Sequence, residues 1–174
     1  MYFDLESNII QDDKPDSTSD KFRLEKSRTL DVQGEILAMT QAKNFFYFVT
    51  FTDIYKWDRT NDDSLNQAYT LQPEGKSSTE MFKDQTTRIW SDHSGTHVLI
   101  KHNNHIFYFN GRKNKVKEIQ KLRGFDVTAL CFDDRMMNEN QTGTILFSDF
   151  YNNIFQMQLE VQETKNDMKV NVMI

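Results

Sequence analysis

The residues best suited to metal or proton chemistry crowd into one stretch. His93, His97, His102 and His105 are the four histidines of the 174-residue chain. A zinc site needs three or four such ligands converging at about 2.0–2.3 Å. The local pattern works against that. His93 falls in an Asp92-His-Ser-Gly95 turn, and His105 opens a new apolar segment. His97 and His102 fall on opposite faces of any strand that contains both, because side chains alternate. The plainer reading is structural, with His97 hydrogen-bonded across a sheet, and no cofactor or metal is expected. The second conspicuous group is basic. Arg112, Lys113, Lys115, Lys117, Lys121 and Arg123 face a single carboxylate, Glu118, within twelve residues, in a chain whose net charge is −5. Such a run serves either as a solvated edge strand, where lysine blocks unwanted strand pairing, or as an attractor for an acidic membrane surface or an acidic protein, at about 1 kcal/mol per cation near a membrane.

Other chemistry is thinly represented. The single cysteine, Cys131, excludes an internal disulfide and any cysteine-based zinc module. It lies in the apolar run Val127-Thr-Ala-Leu-Cys-Phe132 and is expected to be a buried thiol. No Ser-His-Asp order, phosphate-cradling glycine loop or paired catalytic carboxylates stand out, so an enzyme and a small-molecule substrate are not expected. The negative charge disfavours nucleic acid, and no aromatic or glycine pattern accompanies the basic run as single-strand binding would require. Asn140-Gln-Thr142 is a glycosylation sequon in form, read here as a loop feature. Asp133-Asp134 reads as a turn after a strand.

What positions these groups is a series of short strands. The six glycines (Gly34, Gly75, Gly95, Gly111, Gly124 and Gly143) and Pro73 fall between apolar stretches, not inside them, which is strand-and-turn punctuation. The stretches are β-branched and aromatic: Phe45–Phe51, His97–Ile100, Ile106–Phe109 and Thr144–Phe147. Three hairpins resemble one another. Each reads apolar strand, short turn, Ile-aromatic-x-large apolar, at Ile54-Tyr-Lys-Trp57, Ile106-Phe-Tyr-Phe109 and Ile154-Phe-Gln-Met157, with the isoleucines 52 and 48 residues apart. Asn103-Asn104 and Asn152-Asn153 suit tight turns, because asparagine tolerates positive φ. A strand precedes the second and third hairpins, at Thr87–Ser91 and Val127–Phe132, and a fourth follows the second at about Val116–Leu122. Four antiparallel strands per period of about 50 residues describes a β-propeller blade. Ile106–Phe109 is apolar on both faces, as an inner strand covered by neighbouring blades should be. The alternative is a β-sandwich with strands at similar spacing.

The expected organisation is all-β: an acidic, largely disordered tail over 1–33, then a WD40-like partial propeller over 34–174, with blades at about 34–76, 86–124 and 125–174. Residues 1–20 carry six acidic side chains against Lys14, a composition that cannot offset its ordering entropy, and the tail is a candidate to fold back on the basic run. Ser78–Lys83 resembles a helix start inside a connection. Three blades are too few for a ring, so the chain is expected to be the first part of a propeller or an open arc with its edge covered. The longest apolar run, Phe45–Val49, is far short of a membrane span or a signal-peptide core, so a cytoplasmic chain is expected.

The stretch from Arg88 to Leu159 resembles the deep orange family, the class C vacuolar protein-sorting subunits of the HOPS and CORVET tethering complexes. The residues that carry the resemblance are Asp92-x-Ser-Gly95-x-His97-x-Leu99-Ile100, Tyr108-x-Asn110-Gly111-x-Lys113, Leu122-x-Gly124, Thr142-Gly143-x-Ile145-Leu146 and Ile154-Phe155. Residues 34–87 are similar to the blade before. The resemblance implies the amino-terminal propeller of such a subunit. It further implies a non-catalytic platform for vesicle docking and fusion, peripheral on late endosomes, lysosomes or the vacuole. Other class C tethering subunits would be its partners. The family's helical solenoid and RING-type module have no counterpart in these residues. Two rivals remain at this point: a WD40- or kelch-like adaptor unrelated to trafficking, and a small barrel or sandwich with a ligand pocket.

Overall fold

A computed structural model describes residues 30–61, 65–71, 86–164 and 167–173. Twelve strands make three separate four-stranded antiparallel sheets, each in simple sequence order. The first blade holds β1 (Ala38–Gln41), β2 (Phe45–Val49), β3 (Asp53–Asp58) and β4 (Leu65–Thr70). The second holds β5 (Thr87–Ser91), β6 (His97–His102), β7 (His105–Asn110) and β8 (Lys115–Glu118). The third holds β9 (Val127–Phe132), β10 (Ile145–Asp149), β11 (Ile154–Glu163) and β12 (Met168–Met173). The opening strands β1, β5 and β9 lie side by side, and so do the closing strands β8 and β12. That arrangement is radial: blades stacked about an axis with their first strands innermost. It is a partial propeller of three blades, not two facing layers.

The core explains why the strands sit there. β6 is buried at every position, His97 to His102. Its alternate side chains point into two different apolar seams. Val98 and Ile100 join Ile89, Phe109, Tyr47, Val49, Ile54 and Leu71 between the first two blades. Leu99 joins Ile106, Tyr108, Leu122, Ile145, Phe147, Met157 and Leu159 between the second and third. Burying a side chain of this size contributes about 1.5–3 kcal/mol, so a strand apolar on both faces is stable only between two sheets. The repeated isoleucine shows the same rule. Ile54 and Ile106 are buried against the following blade, whereas Ile154 is 78% exposed on the face of the third blade that no described sheet covers.

Turn chemistry follows the sequence closely. Asn103 and Asn152 take φ of +54° and +66° at the β6–β7 and β10–β11 turns, and Gly95 takes +75° between β5 and β6. Two expectations need correction. The fourth strand of the second blade ends at Glu118, and Gln120–Leu122 form a 3-10 turn that tucks Leu122 into the seam. Cys131 is exposed, not buried. It pairs with Leu146 across β9 and β10, on the face that no blade covers; an apolar run names a strand but not which face is covered. The possible helix start at 78–83 and residues 1–29 of the acidic tail lie outside the described residues.

Candidate functional site

The basic run occupies the outer edge of the second blade and the turns at both its ends. Lys113 sits in the turn that leads into β8, outside the strand that carries Lys115 and Lys117. Lys115 and Lys117 alternate with Val116, which packs toward the first blade; the two lysines therefore point toward the third. Four of the six cations reach groups of that third blade. Arg112 pairs with Glu139 in the β9–β10 loop. Lys113 Nζ lies 2.5 Å from Glu163 of β11, and Lys117 Nζ 3.2 Å from Asp167 in the β11–β12 turn. Asp167 is held below the usual carboxylate range by the Met168 N–H first and then by Lys117. Lys121 Nζ donates to the Val172 carbonyl at 3.3 Å. Arg123 stays within its own blade, donating to Glu118 at 3.1 Å. The run is thus laced to its neighbour, and Lys121 alone among these four meets a carbonyl, which satisfies a donor without cancelling its charge.

The histidines do separate structural work. His97 is fully buried between the second and third blades. Its Nε2 lies 2.7 Å from the Asn138 carbonyl and its Nδ1 2.7 Å from the Tyr108 hydroxyl. A carbonyl only accepts, so in the neutral ring Nε2 carries the hydrogen and Nδ1 accepts from Tyr108. Burial lowers the His97 pKa first; Arg112 adds to that, while the Asn138 carbonyl and Asp92 oppose it. Asp92 also accepts from the His97 backbone N–H at 2.6 Å, and from Ser94, closing the β5–β6 turn. This is the cross-sheet bond expected of His97, extended to the next blade. His102 points to the other seam. Its Nδ1 meets Thr87 Oγ1 at 2.9 Å, its Nε2 is buried without a hydrogen-bond partner, and burial lowers its pKa too. His105 Nδ1 contacts Glu118 at 2.8 Å, and His93 lies in the β5–β6 turn. Among the described residues no cluster of metal-ligating side chains converges.

Two features escaped the sequence reading. Tyr47 donates its hydroxyl to the Gly95 carbonyl at 2.6 Å, tying the first blade to the second; burial pushes that phenol's pKa upward. The β10–β11 turn projects Phe150 and Tyr151, 72% and 79% exposed. Two aromatics between Asp149 and Asn152-Asn153 were the available signal, because such a turn leaves bulky side chains nowhere to bury. Clefts at the surface are open and polar. One, of about 250 Å³, is lined by Thr40, Ser91, His93 and Asp134 among others. This cleft lacks the enclosed apolar shape typical of a ligand site. No helix among the described residues is long and apolar enough to cross a membrane.

Comparison with known proteins agrees with this architecture. No curated protein matches the chain in sequence. A chain in a solved structure of a variant of S. cerevisiae Dbp5 bound to Nup159, Gle1, IP6 and ADP shares 10% identity with a TM-score of 0.43, over 88% of this chain and 34% of that one. This chain therefore spans about a third of the solved chain's length, and so weak a likeness bears on neither fold nor function. The family profile for the Pep3/Vps18/deep orange beta-propeller domain matches residues 20–173. With three radial four-stranded sheets and a match over nearly the whole sequence, the chain belongs to the Pep3/Vps18/deep orange β-propeller family.

Proposed function

We propose that this chain is a non-catalytic interaction platform of a class C tethering assembly, of the HOPS or CORVET kind, acting in vesicle docking and fusion on the cytoplasmic face of endosomes and the lysosome or vacuole. The observation that carries the reading is the family match over residues 20–173. Membership implies a subunit of a vacuolar or endosomal tethering assembly. The molecule's chemistry is compatible with that role: the polar groups singled out by sequence serve blade contacts, and the surface clefts are open and polar. Protein partners are the other class C subunits. The basic run Arg112, Lys113, Lys115, Lys117, Lys121 and Arg123 is the candidate contact for an acidic partner or acidic membrane. Affinity purification of the tagged chain from its own cells tests the reading. Co-purification of class C tethering subunits is the expected result. A reproducible set of partners without any of them returns the chain to the class of propeller adaptors unrelated to trafficking.

A further inference from the structure

The two end faces of the arc differ, and one of them is covered. In the first blade Phe46, Phe48, Tyr55 and Trp57 alternate with the seam residues Tyr47, Val49 and Ile54, so they face away from the second blade. They meet as cross-strand pairs, Phe46 with Trp57 and Phe48 with Tyr55, and the Phe46 and Trp57 rings stack with centroids 5.4 Å apart. No described sheet lies on that side. Phe48 and Tyr55 are nevertheless 9% and 6% exposed, whereas Leu146 and Ile154 on the outward face of the third blade are 43% and 78% exposed. The cover stops short of β1, where Met39, the cross-strand partner of Phe48, is exposed.

Chain direction and charge identify what crosses this face. Residues 31–33 reach the Tyr55 hydroxyl: burial, then the Asp53 and Asp31 carboxylates, push that phenol's pKa upward against a bond from the Gln33 backbone. The Leu37 N–H then bonds the Val49 carbonyl as the chain enters β1. Whatever precedes residue 30 therefore starts from the Tyr55 end of the aromatic face. Asp53 lies on the same face, two residues before Tyr55, and its carboxylate accepts from the neutral groups of Thr52, Gln67 and Thr70. No ion pair among the described residues engages Asp31 or Asp53. The preceding sequence carries the opposite charge, Lys21, Arg23, Lys26 and Arg28 against Glu25. The family profile begins at residue 20, so this basic stretch falls inside the family domain and residues 1–19 fall outside it. In an extended run Phe22, Leu24, Lys26 and Arg28 share one side. Residues 20–29 can span about 33 Å, enough to traverse a strand of about 20 Å.

We propose that residues 20–29 form a strap across the outward face of the first blade, with Phe22 and Leu24 on the Phe46–Trp57 pair and Lys26 and Arg28 at Asp53 and Asp31. The strap is independent of the tethering role, so the two fail separately. Whole-chain variants test it. A benzophenone cross-linker in place of Phe22 should, on irradiation, join the strap to peptides from 45–58. The double substitution Phe22→Ser with Leu24→Ser should speed amide exchange in β2 and β3 by about tenfold or more, the equivalent of exposing one buried side chain of this size. It should do so more than in β10 and β11. Lys26→Glu with Arg28→Glu should act in the same direction and more weakly, and deleting residues 1–19 should change nothing. Cross-linking to the basic run at 112–123, or to no defined site, overturns the proposal. So does unchanged exchange in the Phe22→Ser, Leu24→Ser variant, or equal acceleration in β10 and β11. Loss of protection in β2 and β3 on deleting residues 1–19 also overturns it, because the acidic stretch is then the cover.

Discussion

The two seams of the arc are equally apolar at their centres but are closed by different means at their margins. Between the first and second blades, polar ties run to backbone carbonyls: Tyr47 to Gly95, and Lys56 Nζ to Gly111 at 2.6 Å. Between the second and third, four ties run charge to charge, Lys101 with Asp126, Arg112 with Glu139, Lys113 with Glu163 and Lys117 with Asp167, beside the carbonyl ties of His97, Arg88 and Lys121. Each seam also holds one buried histidine, His102 in the first and His97 in the second. The first seam is therefore set by close approach of backbone, which is sensitive to volume. The second adds ion pairs, which are sensitive to salt.

The strongest way to break the first seam is to add volume where none is available. A Cβ on Gly111 would run into the Gly95 carbonyl oxygen and the Tyr47 hydroxyl. The Gly111 N–H also bonds the Thr96 carbonyl at 2.8 Å, so neither side can retreat without losing a hydrogen bond. Gly111→Ala should destabilise the fold by about 3 kcal/mol, the upper part of the range for overpacking, read as a lowered urea midpoint. Gly124→Ala is the control. It has nothing within 4 Å of the added carbon, though its φ of +87° carries strain, and it should cost about 1 kcal/mol. Equal losses at the two positions would mean that the first seam is not tightly closed.

The same contrast explains how far the sequence could be read. The hairpins were legible because their apolar side chains face two seams, and the turns because Asn103, Asn152 and Gly95 take positive φ. β1, β4 and β12 were not. β4, Leu-Asn-Gln-Ala-Tyr-Thr, is mostly exposed or half-buried, and a strand whose faces are partly solvated needs no apolar pattern. Cys131 was misplaced because burial of a third-blade residue depends on whether a further blade stacks there, which no local pattern records. The basic run was legible as charge, but not as a clasp. Its partners Glu139, Glu163 and Asp167 lie 27 to 50 residues away, a proximity created only by blade stacking. Sequence reasoning saw His97 well, since the β5–β6 turn places it, and saw nothing of Asn138 on its other side.

Protonation probes each seam through its own histidine. His97 and His102 both have pKa values below the ordinary 6.5, with burial as the main cause; Arg112 reinforces it for His97 and His105 for His102, while Asp92 partly offsets it for His97. A lowered histidine pKa means that the unfolded chain takes up a proton at a pH where the folded chain resists. Stability is thus fully present above about pH 6.5 and falls as pH drops below it, by at most about 1.4 kcal/mol per pH unit for each ring. The His97 proton would land on Nδ1, which now accepts from Tyr108, with Arg112 adding repulsion and Glu163 facing the phenol. His97→Gln should flatten part of the acid slope in urea titrations and His102→Gln another part. Hydrogen exchange distinguishes the two. Acid should loosen 138–142 through His97, and β5 through its Thr87–His102 contact. If the slope is unchanged in both variants, the acid limb belongs to other groups.

The smallest effect sharpens the comparison most, because it asks whether the charge lacing holds the second seam or merely decorates it. Lys113 is 46% exposed and Glu163 12%, so water and salt screen the pair only in part. Glu163 is further fixed by the Asn110 amide at 3.0 Å, which holds the carboxylate in place and removes part of the entropy an exposed pair normally loses on forming. A double-mutant cycle with Lys113→Met and Glu163→Gln should give a coupling of about 0.5 kcal/mol, the middle of the range for partly exposed pairs, and it should shrink in high salt. The comparison cycle at the margin of the first seam, Lys56→Met with Phe45→Leu, lies within the first blade and removes an ammonium 4.1 Å from a ring centroid that also reaches across the seam to the Gly111 carbonyl. Its coupling should change less with salt, because the Lys56 head is more enclosed and its other partner is a carbonyl. Equal salt dependence in the two cycles would erase the electrostatic distinction and leave apolar burial as the common cement of both seams.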